Sequence, residues 1–159
     1  MKKIVLLAIT ALFSVSVFSQ TISKGILNED QYTEVGVVKQ MGTGKMMWLT
    51  KPNDVDLYIL SYRDAQYTQI TEIETISLGT KEVVNNIKKA ILDLANDKEG
   101  KNITIELPEN KGTMIFSKIK ALGIVNIWAL VTDEKGFKSH TPYMTMKTIE
   151  TLFPNSHFQ

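Results

Sequence analysis

The sequence predicts an α+β domain: a mostly antiparallel sheet built from hairpins, about eight strands in the order ββββαββββα, packed against one long helix and one short C-terminal helix. Short runs rich in Val, Ile, Thr and aromatic residues alternate with Gly, Asn, Asp and Pro clusters, as hairpin strands do. Thr80 to Ala95 instead carries its apolar residues at helical spacing, and a shorter helical pattern stops at Pro154.

Taken in order, Tyr32 to Met41 and Lys45 to Thr50 flank Gly42-Thr43-Gly44, whose glycines supply the positive φ of a tight hairpin. After the turn signal Pro52-Asn53-Asp54, Leu57 to Arg63 has apolar or aromatic residues on both faces, as an inner strand does. Ile70 to Leu78 follows, rich in Ile and Thr. The long helix starts at the capping residue Thr80, with Glu82 in its first turn. Val83, Val84, Ile87, Ala90, Ile91, Leu94 and Ala95 form its apolar stripe, Lys81, Asn85, Lys88, Lys89 and Asp93 fall outside it, and Gly100 marks its end.

Asn102 to Leu107, Gly112 to Lys120, Ile124 to Thr132 and Phe137 to Tyr143 read as four more strands. Glu109-Asn110-Lys111-Gly112 and Asp133-Glu134-Lys135-Gly136 place glycine where a type I turn ends in a left-handed residue. A second helix runs from Thr145 to Phe153 with Ile149, Leu152 and Phe153 facing inward, and residues 155–159 read as a frayed tail. Thr80, Val84 and Ile87 stand a constant 65 residues before Thr145, Ile149 and Leu152, which hints at an internal duplication.

The first residues read as a secretory signal. Lys2 and Lys3 form a basic start, Ile4 to Phe18 an apolar run, and Val17 and Ser19 occupy the small-residue positions before a cut ahead of Gln20. As a helix this run would measure roughly 22 Å against a hydrocarbon core of ~30 Å, too short to span comfortably. Residues 1–19 are therefore expected to be cleaved, leaving a single domain over 20–154 plus the tail, with no membrane anchor and a secreted or periplasmic location.

Cleavage removes Lys2 and Lys3 and lowers the 18 basic residues to 16, one fewer than the 17 acidic residues. A balance so near neutral carries no electrostatic footprint for nucleic acid or anionic lipid. Cysteine is absent, which removes disulfides, thiol nucleophiles, thiolate metal sites and lipidation through cysteine. The core must then hold by burial and hydrogen bonding alone.

The chemical motifs are weak. Gly42-Thr43-Gly44-Lys45 resembles the end of a phosphate-binding loop, but Met46 stands where Ser or Thr is needed and a strand, not a helix, follows. His140 and His157 lack any clustered ligands for a metal, and Ser139 and His140, as strand neighbours, point to opposite faces and cannot pair. Glu72 with Glu74, and Asp54 with Asp56, lie within single segments rather than across a cleft, and no calcium-loop spacing occurs. Asn102-Ile103-Thr104 matches a glycosylation sequon, read as chance beside a bacterial-style signal. No cofactor is expected.

One stretch stands out as a ligand-binding candidate: Tyr62, Arg63 and Tyr67, in which an arginine beside tyrosines would grip an anionic or planar ligand. The plainer reading is that Arg63 and Asp64 emerge at a sheet edge and discourage strand addition. The expected function is a non-enzymatic binding module of the cell envelope or extracellular space, taking a protein, peptide or small ligand through a sheet face or edge strand. Two alternatives stand beside it: an assembly accessory acting through the edge Tyr32 to Met41, and a hydrolase using carboxylates from separate segments.

Overall fold

A computed structural model describes residues 31–42, 44–67 and 72–158; the expected signal, with its Ser19–Gln20 cut, lies outside them. Among the described residues, eight strands form two separate antiparallel sheets, each a simple meander. The first contains β1 (Tyr32–Gln40), β2 (Gly44–Pro52), β3 (Tyr58–Arg63) and β4 (Ile73–Gly79), and helix α1 (Lys81–Asn96) follows it. The second contains β5 (Asn102–Glu106), β6 (Gly112–Ala121), β7 (Ile124–Asp133) and β8 (Lys138–His140), and helix α2 (Met146–Leu152) follows that. The α+β class and hairpin order agree with the sequence, whereas the expected sheet is in fact two.

The two halves repeat the same ββββα plan and share one interior. Helix α1 packs on β5, β6 and β7 of the second sheet, while α2 lies on β1 and β2 of the first, so each helix covers the other half's sheet. A meander with one apolar face cannot bury that face alone, and this exchange lets both faces close on a common core. Met47, Leu49, Leu60 and Tyr62 from the first sheet join Met114, Phe116, Ile127, Ala129 and Val131 from the second. Val84, Ile87, Ile91, Ile149 and Leu152 fill the space between them. Of the residues matched at 65-residue spacing, the apolar ones, Val84, Ile87, Ile149 and Leu152, are all buried. At the centre, Met47, Met114 and Met144 adjoin a void lined also by Leu60, Ile87 and Phe116, walled with apolar side chains that pack without leaving a ligand-sized hole.

Several boundaries differ from the sequence reading. Strand β4 runs from Ile73 to Gly79, and Ile70 and Thr71 of the expected strand lie outside the described residues. Strand β8 stops at His140, after which Thr141 still bonds the Ala129 carbonyl but takes the Ala129 N–H on its hydroxyl, and Pro142 has no N–H for the ladder; backbone pairing resumes at the bridge between Ile127 and Met144. Helix α1 ends at Asn96, short of Gly100, because Asp97 is extended and its carboxylate accepts the Glu99 N–H at 2.9 Å, a local turn that competes with another helical bond. Its free N-terminus is served by Asp56 Oδ2, 3.3 Å from the Lys81 N–H, since the Thr80 side chain makes no capping bond. Helix α2 does cap itself, with Thr145 and Thr148 exchanging side-chain and backbone bonds.

Two expected surface features are interior. Phe158, placed in the frayed tail, is fully buried and stacks near Tyr58 and Phe153, with ring centroids 5.1 and 6.1 Å away. Lys88, placed on the polar side of the helix, is buried, and its ammonium donates to Asn155 Oδ1 at 2.6 Å and to the Phe158 carbonyl at 3.0 Å. The tail is thus pinned by one aromatic ring and one cation. In the β5–β6 turn Glu109 and Asn110 are left-handed, at φ 58° and 57°, and Gly112 also has a positive φ, 121°. Gly112 further allows close approach, because a Cβ there would sit 1.9 Å from the Thr132 carbonyl oxygen.

Candidate interaction surface

Alternation along the β6–β7 ladder sorts its side chains into two faces. Met114, Phe116, Ile127, Ala129 and Val131 point to the core and are buried. The opposite face carries cross-strand pairs Ile115 with Leu130, Ser117 with Trp128, Ile119 with Asn126 and Ala121 with Ile124. These outward residues are half-buried or exposed, so the second sheet presents an apolar row to its surroundings where an ordinary antiparallel sheet would turn polar residues outward. Trp128 and His140 meet edge to face on it, ring centroids 5.1 Å apart. Tyr143, on the segment that rejoins β7, is 63 % exposed.

The row continues onto the distal end of the β6–β7 ribbon, which stands clear of its neighbours. Strand β5 pairs with β6 only as far as Ser117, and among the described residues β7 has no partner other than β6 beyond Ile127. Pairing within the hairpin nevertheless runs on to Ala121 with Ile124. Its two-residue turn is Leu122-Gly123, both at positive φ (51° and 81°), the hand that suits a tight hairpin. Asparagine or glycine is the usual first residue of such a turn; here it is a leucine with its side chain wholly in solvent.

The sequence-derived candidates are not brought together on this or any other surface. Tyr62 lies on the inward face of β3, fully buried, with its hydroxyl 2.6 Å from Ser139 Oγ. Burial pushes its phenol well above the usual 10.0, opposed in part by the Ser139 hydrogen bond. Arg63, the next residue, faces the other way and donates from Nε to the Lys45 carbonyl at 2.8 Å. Tyr67 is 46 % exposed in the loop beyond. Arg63 is also not at a sheet edge, because β3 lies between β2 and β4 and Arg63 pairs with Ile73.

Asp64, singled out only as an edge charge, joins the two halves. It is 4 % exposed, and its Oδ1 accepts the His140 N–H at 3.0 Å and the Gln66 N–H at 2.9 Å. The Ala65 N–H returns a bond to the His140 carbonyl at 2.8 Å. A carboxylate with those backbone donors satisfied is a clamp between β3 and β8. Nothing in the local sequence pattern marks it, since its partner lies 76 residues away.

The remaining polar residues are scattered. Glu72 precedes β4, Glu74 sits on it, and Asp54 and Asp56 occupy the β2–β3 connection, where Asp56 caps α1. Among the described residues no group of three or more His, Asp or Glu side chains is placed to hold a metal ion, and no helix is long and apolar enough to cross a membrane. The edge strand β1 is met by α2 at Gly36, whose Cβ position would fall 2.1 Å from the Leu152 carbonyl oxygen. Comparison with family models, with curated proteins and with solved structures finds no match for this chain.

Proposed function

We propose that the protein is a non-enzymatic binding module, exported to the cell envelope or extracellular space, that takes a protein or peptide partner on the outward face of its second sheet. The observation that supports this most is the apolar row Ile115, Leu130 and Trp128 on a sheet face turned away from the core. An apolar stripe on a rigid, paired scaffold is a surface a partner can dehydrate without first ordering it. Trp128 beside His140 supplies the kind of broad amphipathic anchor that dominates binding energy at interfaces. Export rests on the basic and apolar start of the chain and its small-residue exit at Ser19.

A photo-crosslinking amino acid placed at Ile115, in cells that produce the chain, tests the face. A discrete adduct from Ile115 that is missing from the same probe at Lys89, on the exposed side of α1, supports the reading. Identical labelling from both positions would refute it. Export is checked on the same material: the recovered chain should begin at Gln20.

A further inference from the structure

From the distal end of the β6–β7 ribbon, we infer a second contact of a different kind: this end inserts into the interfacial layer of an anionic lipid bilayer. The inference concerns shape and charge at residues 118–125, not the flat face on which the proposed partner would sit.

The ribbon end projects. From Ile119 through Ile124 every residue is exposed, and among the described residues no strand flanks either side. From Lys118 to Leu122 the chain advances about 13 Å at ~3.3 Å per residue, enough to bring the turn through a headgroup layer while the sheet stays in water. A convex two-stranded end of this kind offers little area to a flat protein surface and suits a soft medium that closes around it.

Its composition is amphipathic in the sense an interface requires. Ile119, Ala121 and Ile124 share one side of the ribbon and Leu122 forms the tip, with exposures of 44 % for Ile119, 56 % for Ile124 and 101 % for Leu122. Lys118 and Lys120 share the other side. Between Ser117 and Asn126 there is no acidic residue, so this end is locally cationic although the whole chain is nearly neutral. Lys118 donates to the Asp97 carbonyl at the root of the ribbon, within Coulombic range of the Asp97 carboxylate, whereas Lys120 is exposed further out. With the apolar side down, the Lys120 ammonium reaches lipid phosphates while its alkyl stem lies along the acyl boundary, and Lys118 adds positive charge at the root.

Leu122 gives an independent argument. A β-hairpin needs neither a side chain larger than hydrogen nor an apolar one at this turn position, and a leucine there bears both left-handed backbone strain and full hydration. Moving the side chain out of water in the working state removes the hydration cost and supplies free energy against the backbone one.

The chain contains no cysteine, so a spin label on Leu122→Cys reports one position. A label on Lys135→Cys, in the turn joining β7 to β8 at the other end of the ribbon, serves as the aqueous reference. With vesicles of phosphatidylcholine and one-third phosphatidylglycerol, the label at 122 should gain oxygen accessibility and lose contact with a water-soluble nickel relaxant, while the label at 135 stays aqueous. Changing Lys118 and Lys120 together to Glu should lower the immersed fraction at least ~tenfold, as the loss of about 1 kcal/mol per lysine at the surface implies. A label at 122 that remains water-exposed on vesicles, immersion indifferent to the two lysine changes, or sequestration that occurs only with a protein partner, overturns the inference.

Discussion

The hydroxyl of Tyr62 on β3 meets Oγ of Ser139 on β8 at 2.6 Å inside the core, joining residues from the two halves of the chain through a bond sealed from solvent. Beside it, Asp64 binds the His140 backbone, so both contacts tie the end of β3 to β8. Apolar packing alone leaves the angle between two sheets loosely set, and buried polar pairs of fixed geometry specify it.

Tyr62→Phe should therefore keep the fold but lose ~1–2 kcal/mol, since the Ser139 hydroxyl is left without this partner. The same phenol gives a pH prediction. Its folded value is raised above 10.0, first by burial, while the unfolded chain titrates at the ordinary value. The stabilisation is then fully present below pH 10 and is lost as pH climbs from there through the raised folded value. Urea midpoints of the wild type should fall steeply above pH 10, and more gently in Tyr62→Phe; parallel curves would show that Tyr62 is not the group responsible.

Gly36→Ala tests the contact between the halves at α2. A Cβ at this position collides with backbone, 2.1 Å from the Leu152 oxygen and 2.7 Å from that of Thr151, and backbone cannot rotate aside. A loss of about 1–3 kcal/mol is expected from overpacking. At Gly42 an added Cβ meets nothing within 4 Å, so Gly42→Ala should cost only the left-handed conformation, ~1 kcal/mol. Equal melting of the two variants would contradict the close approach of helix and strand.

The C-terminal residues supply a third test. Phe158→Ala should destabilise the domain by about 3 kcal/mol, the cost of emptying a buried aromatic site, whereas an unattached end would tolerate it. Lys88→Met should speed hydrogen exchange at the His157 and Phe158 amides, which both bond to the Pro154 carbonyl. Burial also holds the Lys88 ammonium below its usual 10.5, against an opposing pull from Glu150. Its unfolded form binds the proton more tightly, so the Lys88 contribution to stability rises with pH through the window just below 10.5, opposite in sign to that of Tyr62. That rise should be missing in Lys88→Met.

How far these features could be read from the chain depends on their range. The apolar stripe of α1 and the Thr145 cap are local patterns of three or four residues, and both appear as spacing suggested. The division into two sheets, the exchange of helices and the burial of Phe158 depend on which distant faces meet, and a five-residue tail carries no periodicity. Lys88 shows the same limit: helical phase places it beside Ile87 and Ile91, and only the returning C-terminus decides that its ammonium is covered. The Tyr62, Arg63 and Tyr67 group fails for a strand reason, since alternation sends adjacent Tyr62 and Arg63 to opposite faces. The outward row on β6–β7 was present as Ile, Trp and Leu at alternate positions, but a strand with apolar residues on both faces also reads as an inner strand covered twice.

The shared core is tested most directly by the two tryptophans, because Trp48 lies on β2 of the first sheet and Trp128 on β7 of the second. Trp128→Phe leaves a fluorescence reporter of the first half, and Trp48→Phe leaves one of the second. Once each variant is referenced to its own circular-dichroism transition, urea unfolding should give fluorescence and helical signals with coincident midpoints in both. A fluorescence midpoint that separates from the helical one in either variant would mean that the halves unfold independently, and would contradict a single interior closed by exchanged helices.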